Sequence, residues 1–110
     1  MDIKAFFGKW ELIPAIVQQY DTKEVLMLAY VNEESFELTL QTGQTWFWSR
    51  SRNELWNKGA TSKNTQEIKE IYYDCEENSF LFLVDQTGVP CHTGNKTCYF
   101  RKIILDKNKI

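Results

Sequence analysis

Three cysteines and one histidine are the residues of this chain whose types can do metal chemistry. Two of the cysteines and the histidine lie together in Cys91-His92-Thr93-Gly94-Asn95-Lys96-Thr97-Cys98. The third cysteine, Cys75, lies upstream, flanked by Asp74 and Glu76. Thiolates are soft ligands, and three of them can hold zinc while leaving a fourth position for water. His92, bonded to one candidate ligand, is well placed to move protons near such a water. Six residues separate Cys91 from Cys98, which is not the spacing of a zinc finger. Gly94 permits a tight turn between the two. The same types have a plainer explanation, because free cysteine also serves as a small buried hydrophobe. A lone histidine is likewise often a hydrogen-bonded surface residue.

A second cluster could bind phosphate. Arg50, Arg52, Lys58 and Lys63 are interleaved with Ser49, Ser51, Thr61 and Ser62. Guanidinium forks match phosphate oxygens, and hydroxyls complete the shell. Gly59 would let backbone approach a ligand closely. Trp46, Trp48 and Trp56 stand beside the cluster, where aromatic faces could stack on a base or simply fill a core or interface. A third group, Asp74, Glu76 and Asn78, offers oxygen ligands of the kind magnesium takes. An acidic turn is the plainer reading of it, as a solvated strand face and loop is of the basic cluster.

These residues need elements to position them. Residues 1–10 read as a turn or two of helix around Phe6 and Phe7. Residues 12–18 read as a strand, and Pro14 makes it either an edge strand or one that begins near the proline. Residues 24–31 form a nearly continuous apolar run, read as a buried strand in a hairpin with the first across a turn at 20–23. Asn32 caps a helix over 33–42, with Glu33 and Glu34 in its first turn, Phe36 and Leu40 on one face, and Gly43 as its stop. A strand over 45–52 puts Trp46 and Trp48 on one face and Phe47 on the other. Residues 55–64 read as an irregular polar loop. Strands over 65–75 and 79–85 make a hairpin around a turn at 76–78, and a last strand covers 99–105. Residues 106–110 read as a frayed tail. The sum is an α+β fold, a single antiparallel β-rich domain over 1–110 with one main helix.

Bulk composition narrows the function classes. The 110 residues suit one domain, and 43% hydrophobic content argues against disorder. Thirteen basic residues against fifteen acidic ones give a net charge of −2, so no general attraction to nucleic acid or anionic membrane is expected. No apolar run approaches the ~20 residues a membrane helix needs, and no signal core opens the chain. An odd number of cysteines fits a secreted disulfide framework poorly, so a cytoplasmic protein is expected.

Several segments occur together in one order: Val25-Leu26-Met27-Leu28-Ala29-Tyr30, Trp48-Ser49-Arg50-Ser51-Arg52, Leu55-Trp56-Asn57-Lys58-Gly59-Ala60-Thr61-Ser62, Asp74-Cys75 and Cys91-His92-Thr93-Gly94. Over residues 12–101 the chain resembles phosphoribosyl-AMP cyclohydrolase, an enzyme of histidine biosynthesis. The resemblance implies a hydrolase that opens the adenine ring of 1-(5-phosphoribosyl)-AMP at its N1–C6 bond. It implies a zinc ion on Cys75, Cys91 and Cys98, in an intertwined homodimer whose metal site draws on both subunits. It places magnesium on an Asp-Cys-Asp-x-Asp pattern, which here reads Asp74-Cys75-Glu76-Glu77-Asn78 and keeps only the first acidic ligand. Glu76 has a longer arm, and Asn78 lacks the charge. The nucleotide substrate would lie on Trp48, Ser49, Arg50, Ser51, Arg52, Lys58, Gly59, Thr61 and Ser62, with His92 as catalytic base. The stand-alone enzyme is the form resembled, not its fusion with a pyrophosphohydrolase. Two other classes compete. A non-catalytic zinc module for nucleotide or single-stranded RNA would want a more basic surface. A redox-active cysteine protein would want a Cys-x-x-Cys motif.

Overall fold

The computed structural model describes residues 2–106. Six strands and two helices follow the order α1 (Ile3–Lys9), β1 (Ile13–Gln19), β2 (Val25–Val31), α2 (Glu33–Thr42), β3 (Trp46–Ser49), β4 (Glu54–Asn57), β5 (Gln66–Tyr73) and β6 (Phe80–Gln86). All strands join one six-stranded sheet in the order β4-β3-β2-β1-β6-β5.

The sheet is mixed, which corrects the antiparallel expectation. β1 pairs antiparallel with β2 but parallel with β6, from Ala15 against Phe80 to Gln19 against Val84. β1 is therefore central, not an edge strand. Pro14 is tolerated because the ladder to β6 begins at Ala15, so the missing N–H faces no β6 partner. The sheet also curls: Gln44, just ahead of β3, bridges to Glu67 in β5, and the Thr45 N–H donates to the Gln66 carbonyl.

α2 starts and stops where its caps dictate. Asn32 Oδ1 accepts from the Ser35 N–H at 2.8 Å, and Ser35 Oγ accepts from the Asn32 N–H at 2.9 Å. Gly43 closes the helix in the left-handed conformation, φ 74°. Its buried stripe is Ser35, Phe36 and Thr39, whereas Leu40 is half exposed. Thr39 displaces Leu40 from the core face because its hydroxyl accepts from the Trp46 N–H, tying helix to sheet. α1 is short, and Asp2 caps it through the Lys4 and Ala5 amides.

Aromatic rings join helices to sheet. Phe80 stacks 4.6 Å from Phe36 and 5.0 Å from Phe6, centroid to centroid, and Phe82 lies 5.9 Å away. Phe80 is 1% exposed. Truncation of such a ring costs transfer energy plus a cavity, so Phe80→Ala should lose about 3–5 kcal/mol. Urea unfolding measures it; a loss below about 1 kcal/mol would show that the stack does not hold the helices down.

Two further expectations fail. Residues 54–57 form β4 rather than loop, because Trp56 and Leu55 pair with Phe47 and Trp48. Residues 99–105 form no strand: among the described residues they find no ladder partner, and Ile103, Ile104 and Leu105 are 84%, 88% and 70% exposed. The strands expected over 45–52 and 65–75 are real but stop at Ser49 and Tyr73. Of the expected frayed tail, residues 107–110 lie outside the described residues.

Candidate active site

β3 and β4 form one wall of a cleft of about 820 Å³. The loop after β4 and the segment after β6 supply the rest, so that Arg52, Trp56, Lys58, Thr61, Cys91 and His92 share it. Gly59 and Ser62 line it too. Gly59 takes φ 87°, and a Cβ there would sit 2.6 Å from the Thr65 nitrogen. The close approach of the loop's own backbone is enough to require glycine there. Beneath the loop, buried Gln66 accepts from the Thr45 hydroxyl and donates to Gln86 Oε1 at 2.8 Å. Thr45 in turn accepts the Lys58 N–H and the Asn57 side-chain amide at its carbonyl. This network fixes the floor from which the cleft residues rise.

His92 is exposed and also borders a smaller hollow of about 460 Å³ with Ser49, Ser51, Arg52, Glu54 and Trp56. The fold thus brings the histidine to the hydroxyl and guanidinium cluster. Trp48 and Arg50 face another hollow, of about 490 Å³, with Tyr30, Ser49, Ser51 and Trp56. The Arg50 guanidinium lies 3.9 Å from the Tyr30 ring centroid, a cation–π contact that parks it on the sheet.

Cys91 and Cys98 come together. Both border one hollow with His92 and Thr93. The Thr93 hydroxyl, 2.9 Å from Cys91 Sγ, leads the contacts that hold the Cys91 thiol below its usual range. Desolvation, then the neighbouring Cys91, pushes the Cys98 thiol up. The Cys98 N–H donates to the Leu26 carbonyl at 2.7 Å, which pins this segment to β2. Two adjacent soft donors fit zinc.

Cys75 does not join them in one chain. It is exposed in the turn after β5, and no three His, Cys, Asp or Glu side chains among the described residues converge on a metal position. Asp74, Glu76 and Asn78 occupy that turn rather than alternating along a strand, because β5 has already ended. Asp74 Oδ1 accepts from the Asn78 and Ser79 amides at 2.8 and 3.0 Å. Those bonds, the Asn78 amide foremost, hold the Asp74 carboxyl below its ordinary pKa.

Lys58 is buried, with Nζ donating to the Pro90 carbonyl. Burial pushes its pKa down, while the Cys98 and Cys91 thiols pull it up. Sequence reasoning missed Tyr30, Thr93 and Pro90. Thr93 carried a signal, a hydroxyl two residues from a candidate thiolate. Tyr30 and Pro90 reach the site only through long-range pairing and a loop contact.

No helix among the described residues is long and apolar enough to cross a membrane. The family model for phosphoribosyl-AMP cyclohydrolase matches residues 27–100. A phosphoribosyl-AMP cyclohydrolase of Bacillus cytotoxicus is 59% identical over 93 residues, covering 84% of this chain and 92% of that protein. One of Clostridium beijerinckii is 59% identical over 92 residues, covering 84% of each. The histidine biosynthesis bifunctional protein HisIE of Caldanaerobacter subterraneus is 57% identical over 102 residues, and the chain spans 50% of its length. On that match and those identities, the chain belongs to the phosphoribosyl-AMP cyclohydrolase family.

Proposed function

We propose that the chain hydrolyses 1-(5-phosphoribosyl)-AMP in histidine biosynthesis, opening the adenine ring at the N1–C6 bond. The observation that carries this reading is the cleft that Arg52, Thr61 and Ser62 share with Cys91 and His92. Membership of the family, with relatives named for this activity, supports it. Water adds its oxygen to C6, which becomes the carboxamide carbon. N1 departs with a proton and stays in the formimino group. His92 takes the proton from the attacking water and returns one to N1. The substrate carries two phosphate groups, and Arg52, Thr61 and Ser62 are placed to hold one beside the cleft. Trp48, Ser49, Arg50 and Ser51 form the neighbouring face for the remainder.

Cys91 and Cys98 would hold zinc, with Cys75 supplied by a second copy of the chain. Zinc held there would supply a water whose pKa is lowered towards neutrality. A homodimer is supported by two observations: Cys75 lies apart from the other thiols, and apolar Ile103, Ile104 and Leu105 stand in solvent. Magnesium, on this reading, draws on Asp74, Glu76 and Asn78, which share the turn after β5. Unpaired thiols suit a cytoplasmic enzyme.

An ultraviolet assay of purine ring opening tests the reading. Chelation should abolish turnover, and zinc, not magnesium alone, should restore it. Zinc-loaded protein that leaves the substrate intact would end the proposal.

A further inference from the structure

Lys58 has the wrong surroundings for a phosphate ligand. A lysine that grips phosphate presents a hydrated ammonium to solvent, yet this residue is only 9% exposed. Its Nζ is turned onto the carbonyl of Pro90, the residue that immediately precedes Cys91. A carbonyl satisfies one donor of an ammonium but does not neutralise it, and a buried charge needs an opposite charge nearby. Lys58 lines the same cleft as Cys91, and the Cys98 and Cys91 thiols favour its charged form against the burial that disfavours it. The Trp56 ring lies 5.4 Å from Nζ, a cation–π contact that also holds the ammonium in place.

We propose that Lys58 is a positioning residue of the thiol cluster, fixing the Pro90–Cys91 backbone and supplying the positive charge that offsets Cys91 and Cys98 when they hold zinc. This rests on the zinc reading above. Three thiolates on a divalent ion leave a net negative centre. A fixed ammonium beside it favours the loaded state, as outer partners of metal ligands do. The backbone contact adds geometry to the charge: the Lys58 N–H is itself bonded to the Thr45 carbonyl, so the cation is anchored at both ends.

The test uses the full chain and zinc itself, in competition with a chromophoric chelator, alongside steady-state kinetics at saturating zinc. Lys58→Gln keeps a donor for Pro90 without the charge, Lys58→Met removes both, and Lys58→Arg keeps the charge. The Gln and Met variants should bind zinc about 10–100-fold more weakly, the range for lost outer partners, with KM for the nucleotide unchanged once zinc is saturating. Lys58→Arg should retain most of the affinity. Should the Met variant fail to fold by circular dichroism, the Gln variant decides. Wild-type zinc affinity in Lys58→Gln, or a raised KM with zinc fully retained, would overturn the assignment and return Lys58 to the phosphates. Wild-type protein that takes up no zinc would overturn the zinc reading along with it.

Discussion

Cys91→Ser should lose zinc and turnover together. The serine hydroxyl can keep the bond to Thr93, 2.9 Å from the native sulfur, so the segment should hold its shape. What disappears is a soft ligand. A Lewis acid contributes several kcal/mol to charge stabilisation, and each ~1.4 kcal/mol is tenfold, so turnover should fall about 1,000-fold or more. Metal analysis of the purified variant, with circular dichroism to verify folding, reads both effects. Cys75→Ser should do the same damage although Cys75 sits in a different turn. Mixing the two inactive variants should then restore a share of the activity. A dimer of one of each contains one site with all its thiols intact, because an isologous pair exchanges the same residues across its axis. Full activity in zinc-free Cys91→Ser, or no recovery on mixing, would refute the shared site.

His92→Ala should behave differently, leaving the proposed zinc site and dimer intact while kcat drops about 100- to 10,000-fold, the usual weight of a general acid–base group. The thiolates that would hold the metal already donate much negative charge, so it acidifies water less than it would among neutral imidazoles. The remaining burden falls on a base. His92 borders both the large cleft and the hollow with Arg52 and Trp56, so on the proposed reading it would serve water on one side and the leaving nitrogen on the other. The readout is a kcat loss with near-constant KM and unchanged metal content. Near-normal kcat would remove His92 from the mechanism.

Local chemistry was legible in the sequence; distant pairing was not. Asn32 and Gly43 delimit α2 because each cap is satisfied by its own neighbours. The turns at 20–23 and 76–78 are likewise spelled out by adjacent polar residues. The parallel union of β1 with β6 has no local sign, and Pro14 pointed away from it. Residues 99–105 carry strand propensity, but propensity alone supplies no partner ladder. At the site, the adjacency of Cys91 and Cys98 follows from a short loop with Gly94 at φ 89°. The inward turn of Lys58 does not, since a basic residue in a polar stretch reads as exposed until Pro90 is seen beside it.

The parallel ladder has a bearing on how the molecule is born. A strand begun at Ile13 meets its second neighbour only after Phe80–Gln86 has left the ribosome. Until then the nascent hairpin carries an open, apolar flank, a stage at which chaperones or misassembly compete with folding. The Cys91–Cys98 segment emerges directly behind that closing strand, so these two thiols arrive on a scaffold only just completed.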